Sequence, residues 1–161
     1  MYKLVIIEDE DIIRKGIIHM AQEVLSDCRV VGEAKNGKEA LKIIESTRPD
    51  ILLLDINMPI MNGLELLEYL PRNVFSVIII SGQSEFEYAK RAIKFGVVDY
   101  LLKPIEETSL KNSVNKAIDQ LNMRREYVSK KDDHPYDIFS EYKMTDSITL
   151  LKAIDYMEAN I

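Results

Sequence analysis

Cysteine occurs once, at Cys28, in a chain of 161 residues. A lone thiol excludes an internal disulfide and a cysteine-rich zinc cluster, and leaves Cys28 to be read as a small, buried or half-buried hydrophobe. An excess of positive charge is also missing. Lys and Arg number 21 against 27 Asp and Glu, a formal net charge of −6, which argues against nucleic-acid binding by bulk electrostatics. No apolar run approaches the ~20 residues needed to span a bilayer. Met1-Tyr2-Lys3-Leu4-Val5 enters a strand directly, without the charged start and apolar stretch of a secretory leader. The chain is therefore expected to be cytoplasmic, with no membrane partner. Internal repeats and low-complexity tracts are lacking as well. What is present is ordinary globular composition, 47% hydrophobic and 30% charged, enough for one packed domain with an appendage.

The organising stretch runs from Ile51 to Gly63. Ile51-Leu52-Leu53-Leu54 leads straight into Asp55, the pattern of a strand buried on both faces in a parallel sheet. Pro59 and Gly63 mark the turn that follows. Open α/β folds place their sites at the carboxyl ends of parallel strands, so an acid there draws attention at once.

The same alternation recurs along the chain. Leu4 to Ile7 is a first strand, and Ile13, Ile17, Met20 and Val24 give a helix one apolar face. Val30-Val31-Gly32 is a second strand. Asn36 caps the next helix with Glu39 as its capping-box partner, and Asn62 with Glu65 repeats the pattern. Val77 to Ser81 is a fourth strand, followed by a helix with a Ser84–Glu87 box and Gly96 as its C-terminal cap. A fifth strand lies within 97–102, and Leu110, Val114, Ile118 and Leu121 mark a fifth helix. Strand and helix alternate five times, with crossovers long enough for right-handed parallel connections. The expectation is a doubly wound α/β domain, a five-stranded parallel sheet over residues 1–122.

Parallel strands bring their carboxyl ends to one edge. That edge collects Glu8 and Asp9 from the first strand, Asp55 from the third, Ser81 from the fourth and Lys103 from the fifth. Three carboxylates repel one another unless a cation is present, and a hard divalent ion with oxygen ligands, Mg²⁺ above all, suits them. Lys103 adds a positive charge and Ser81 a hydroxyl, a set suited to a phosphoryl group. Any one acid at a strand end is ordinarily a helix cap or a solvated loop residue. Five such groups at successive ends are not so easily dismissed.

These residues are similar to the receiver domain of two-component response regulators. The resemblance covers residues 1 to about 122 and rests on Glu8-Asp9, Asp55 with Met58-Pro59 and Gly63, Ser81, and Asp99-Tyr100 before Lys103-Pro104. It implies a flavodoxin-like fold and a regulatory switch that catalyses only its own phosphorylation and dephosphorylation. Asp55 would be the phosphoacceptor, attacking a phosphohistidine on a partner sensor histidine kinase. Glu8, Asp9 and Asp55, with the backbone carbonyl of Asn57, would hold Mg²⁺. Ser81 and Lys103 would bind phosphate oxygens, and Tyr100 would be the aromatic switch that turns inward with Ser81. The Lys103-Pro104 bond would be cis. Glu8 stands where an aspartate is commoner, and its extra methylene would move the carboxylate outward, toward a water-mediated contact with the metal.

Beyond the receiver, residues 123–146 read as a linker, with 122–131 alternatively an extension of the fifth helix. Leu150, Ile154, Met157 and Ile161 then recur at helical spacing over 147–161. This last stretch resembles the opening helix of an AraC-type DNA-binding domain, which implies a transcription regulator cut short before its helix-turn-helix units. DNA binding would need that missing part, and a homodimer is compatible with the family. A receiver acting through protein contacts alone is the alternative. A dehalogenase-type phosphatase would need an acid two residues past the nucleophile, where Asn57 stands, and a flavodoxin-like FMN site would need a Ser/Thr/Gly-rich loop after the first strand, where acids stand.

Overall fold

A computed structural model of the chain describes residues 1–82 and 86–131. Its elements in chain order are β1 (Tyr2–Ile7), α1 (Asp11–Val24), β2 (Cys28–Ala34), α2 (Gly37–Thr47), β3 (Ile51–Asp55), α3 (Gly63–Tyr69), β4 (Ser76–Ser81), α4 (Phe86–Lys94), β5 (Asp99–Leu102) and α5 (Glu107–Lys131). The strands form one parallel sheet ordered β2-β1-β3-β4-β5. The doubly wound α/β fold expected from the alternation is the fold observed. Chain order reverses about β1, and the crevice between β1 and β3 is where this topology opens a site.

Period-2 alternation divides the strand side chains between two cores. Val5, Ile7, Leu52, Leu54, Val77 and Ile79 pack against α2, α3 and α4. Leu4, Ile6, Ile51, Leu53, Ile78, Ile80 and Leu101 pack against α1 and α5, through Ile17, Ala21, Leu110, Val114, Ala117 and Leu121. Every side chain of β3 is buried, as its unbroken apolar run requires. β2 is an edge strand and longer than Val30–Gly32; Arg29 and Glu33 lie within it, and their charge hid its ends.

The helix starts are set locally. Asn62 accepts from the Glu65 amide at 2.9 Å and Glu65 Oε2 accepts from the Asn62 amide at 2.9 Å, a complete capping box. Asn36 accepts from the Glu39 amide, but Glu39 reaches back one residue further, to the Lys35 amide, so the reciprocal half of that box is displaced. Gly96, at φ +72°, ends the α4 segment in the left-handed conformation that favours glycine. The Lys103-Pro104 peptide is cis. Residues 122–131 continue α5 to Lys131. The Ser84 cap and everything expected of residues 132–161, including the final amphipathic helix, lie outside the described residues. Among the described residues, no helix is long and apolar enough to cross a membrane.

Candidate functional site

Three strands deliver the site. β1 ends at Ile7, so Glu8 and Asp9 emerge directly from it, and the Glu8 amide still bonds the last carbonyl of β2, Ala34, at 2.9 Å. β3 ends on Asp55 itself. β5 ends at Leu102, and Lys103 is held to β4 by its amide, which donates to the Ser81 carbonyl at 2.8 Å. Glu8, Asp55 and Lys103 share the strand parity that faces α1 and α5. The sheet thus brings together residues up to 95 positions apart, and one carboxylate oxygen from each of Glu8, Asp9 and Asp55 lies within 4.8 Å of the others.

Lys103 closes the cluster. Its Nζ donates to Asp55 Oδ2 at 3.2 Å and lies 2.6 Å from Glu8 Oε2. Glu8 and Asp55 are buried, at 0% and 2% exposure, whereas Asp9 is half-buried. The longer arm of Glu8 therefore does not carry its carboxylate to solvent. Oε1 folds back to accept from the Glu10 amide at 3.1 Å, and Oε2 meets Lys103. Glu8 Oε2, though ion-paired with Lys103, and Asp55 Oδ1 are both buried without a hydrogen bond.

Burial raises the Asp55 carboxyl above the ordinary aspartate range, with the charge and hydrogen bond of Lys103 pulling the other way. Burial likewise raises Glu8, against its contact with Lys103, and the Asp55 charge adds to the rise. For Lys103, burial opposes the charge, but Glu8 and Asp55 outweigh it and hold the ammonium above its usual range. Three carboxylates thus face one ammonium in a partly dehydrated corner. Buried lone pairs left without donors, on hard oxygen ligands converging within 4.8 Å, fit a small divalent cation such as Mg²⁺.

The segment after Asp55 is tightly bent. The Met61 amide bonds the Pro59 carbonyl at 2.7 Å across Ile60, whose φ is +71°, a strained γ-turn for a β-branched residue. The Gly63 amide bonds the Ile56 carbonyl at 2.9 Å. A Cβ on Gly63 would lie 2.2 Å from the Asp55 carbonyl oxygen, so only glycine lets α3 begin this close to the strand end. Asn57 is exposed in this loop, two residues past Asp55.

Ser81 is fully buried at the end of β4. Ile79 pairs with Tyr100 and Ser81 with Leu102, so Ser81 and the half-buried Tyr100 lie on the sheet face that carries α2, α3 and α4.

Arg14 escaped the sequence reading. It is 8% exposed on α1. Its Nη1 donates to the Glu8 carbonyl at 2.8 Å and its Nε to Glu33 on β2 at 2.7 Å, while Nη2 meets Asp11. A signal was available: Arg14 falls in register with Ile17 and Ala21, so a charge stood on the buried stripe. Gly37 was also passed over. Its amide bonds the Met61 carbonyl at 3.0 Å and ties the start of α2 to the bent loop after Asp55.

Known proteins share these features. The family model for the response regulator receiver domain matches residues 4–115. The chain is 40% identical over 133 residues to the uncharacterized transcriptional regulatory protein YesN of Bacillus subtilis, covering 81% of this chain and 36% of that protein. It is 39% identical over 110 residues to the transcriptional regulatory protein HptR of Staphylococcus aureus, covering 68% of this chain and 44% of that protein. The chain thus spans less than half the length of either relative. Among solved structures, the receiver (REC) domain of AraT, a response regulator from Geobacillus stearothermophilus, superposes with a TM-score of 0.68 at 39% identity, over 76% of this chain and 97% of that one. With its sheet order, the acidic edge under Lys103 and these likenesses in agreement, the chain belongs to the response regulator receiver domain family.

Proposed function

We propose that Asp55 accepts a phosphoryl group from a phosphohistidine of a sensor histidine kinase, and that the aspartyl phosphate switches an output, which is transcription. One observation carries this reading. The Asp55 carboxylate is buried at the end of the central strand, with Oδ2 held by Lys103 and Oδ1 without a hydrogen bond. An oxygen in that state is poised as a nucleophile. Oδ1 attacks phosphorus, the P–N bond breaks, and the electron pair leaves on the imidazole. Lys103 pairs with a phosphoryl oxygen as charge accumulates, and the Ser81 hydroxyl donates to another. Glu8, Asp9 and Asp55, with the Asn57 backbone carbonyl, would hold Mg²⁺, which when bound neutralises charge on the phosphoryl oxygens.

Covalent phosphate adds about −1.5 to −2 charges. Drawing Ser81 toward it opens space on the face shared with Tyr100, so Tyr100 and α4 repack. The domain acts in the cytoplasm as a regulatory switch, its chemistry confined to its own phosphorylation and dephosphorylation. The names of its relatives, both transcriptional regulatory proteins, support the transcriptional output.

Intact-mass measurement after incubation with acetyl phosphate and Mg²⁺ tests the acceptor. The wild-type chain is expected to gain one phosphate and Asp55→Ala none. A phosphorylated Asp55→Ala protein would place the acceptor elsewhere.

A further inference from the structure

The geometry points to Arg14 as a positioning residue for the Glu8–Asp9 pair, an inference that rests on the reading of those acids as metal-holding groups. Beside its ion pair with Lys103, Glu8 is held by three hydrogen bonds. Its amide bonds Ala34, its Oε1 accepts from the Glu10 amide, and its carbonyl accepts from Arg14 Nη1. The second closes a ring across the Glu8–Asp9 peptide, and the third holds that peptide's own carbonyl oxygen. Together they set the direction in which Asp9 leaves the strand. Arg14 can impose that direction because its own fork is immobilised. Nε is anchored on Glu33 of β2 at 2.7 Å and Nη2 on Asp11 in the first turn of α1. The Arg14 amide also bonds the Glu10 carbonyl at 2.8 Å, so α1 begins directly from this loop. The guanidinium thus joins strand, loop and helix around the acidic pair. The Glu10 side chain does not cap α1, and this loop is tied instead by the Glu8 carboxylate and by Arg14, which alone of the two also reaches β2 and α1. A lysine keeps the charge but cannot reach three acceptors from one planar fork.

Sign separates positioning from simple charge. A cation this close to the acids repels Mg²⁺, so removal of an Arg14 that acted through charge alone would tighten Mg²⁺ binding. Removal of a positioning Arg14 weakens it, because outer groups that orient metal-holding residues are worth about 10–100-fold in affinity.

The experiment uses the full chain in three forms: wild type, Arg14→Lys and Arg14→Met. Each is titrated with Mg²⁺ by amide NMR, and exchange at the Glu10 amide is measured without metal. Both variants are expected to bind Mg²⁺ about tenfold more weakly and to exchange the Glu10 proton faster than wild type. Mg²⁺ affinity within about twofold of wild type in Arg14→Lys, or tighter binding by Arg14→Met, would overturn the inference. Should the buried variants lose their native spectrum, Glu33→Gln replaces them, since Glu33 lies at the half-exposed end of the fork. There, roughly threefold weaker binding with faster Glu10 exchange supports positioning, and wild-type values for both refute it. A wild-type chain that takes up no Mg²⁺ would sink the metal reading itself. The exchange measurement would still report whether Arg14 holds Glu8.

Discussion

Lys103 sits between two carboxylates that burial has already made reluctant to ionise. Replacing it by methionine leaves both acids buried without their cation. A broken buried pair costs about 3–5 kcal/mol, and a loss of that size is expected in urea unfolding of Lys103→Met at pH 8. The loss is expected to shrink at pH 5, because a carboxyl that takes up a proton no longer needs a cation. Added Mg²⁺ should raise the Tm of Lys103→Met more than that of wild type, since the ion then meets no competing ammonium. Equal Mg²⁺ responses in the two proteins would show that Lys103 and the metal do not share these acids. Cys28 makes a quieter case at the same scale. Burial, with the charges of Asp27 and Asp50, pushes its thiol up to about 11. Alkylation of the native chain at pH 8 is therefore expected to be much slower than that of the urea-unfolded chain, as the thiolate is the reactive form.

At the scale of elements, two junctions hold the site in place. The first is the step from β3 to α3. A methyl group on Gly63 would meet the Asp55 carbonyl oxygen at 2.2 Å and the Ile56 Cα at 3.0 Å, both backbone atoms that cannot swing aside. Gly63→Ala is expected to cost about 1–3 kcal/mol of stability and to slow phosphorylation by acetyl phosphate, because relief of the clash moves Asp55. A variant destabilised yet phosphorylated at the wild-type rate would separate the junction from the site. The second junction joins β5 to α5. Asp99 accepts from Ser113 at 2.7 Å, from Lys116 at 2.8 Å and from the Tyr100 amide at 2.9 Å. Burial works against its ionisation, but these donors prevail and hold its carboxyl below the ordinary range. An acid lowered in the folded state stabilises above its unfolded pKa, and that stability is lost as pH falls through its folded pKa. Wild type should therefore lose stability faster than Asp99→Asn as pH drops below about 4. Parallel stability curves for the two proteins would remove Asp99 from the acid response.

Across the whole molecule, the cluster of Glu8, Asp9, Asp55 and Lys103 lies at the carboxyl edge of the sheet, and α4 packs on the face that carries Tyr100. Ser81 and Tyr100 occupy adjacent strands and the same face, two register steps apart. One covalent phosphate can bias two such packings only if they differ by a few kcal/mol. Amide NMR with a non-hydrolysable phosphate mimic and Mg²⁺ is expected to shift Tyr100 and residues along α4, as well as the loops around Asp55. Shifts confined to those loops would leave the domain without an internal relay.

Much of this was legible in the chain itself. The all-apolar run ending at Asp55, the alternation of short strands with capped helices, and an acid or a lysine at three strand ends are local patterns. Periodicity and capping chemistry arise within a few residues, so the sequence carries them openly. They determined the α/β class, the parallel sheet and the meeting of Glu8, Asp9, Asp55 and Lys103 at one edge. The geometry belonged to the tertiary structure. That Glu8 turns inward, that Lys103 reaches it at 2.6 Å, and that Glu39 bonds Lys35 rather than Asn36 depend on which groups compete for each donor once the elements are packed. Arg14 shows the reason most plainly. In the sequence it is one charge beside Ile13; its role exists only because β1, β2 and α1 bring the Glu8 carbonyl, Glu33 and Asp11 around a single guanidinium. Contacts between distant residues are fixed by packing the whole sheet, and no local window of the chain contains them.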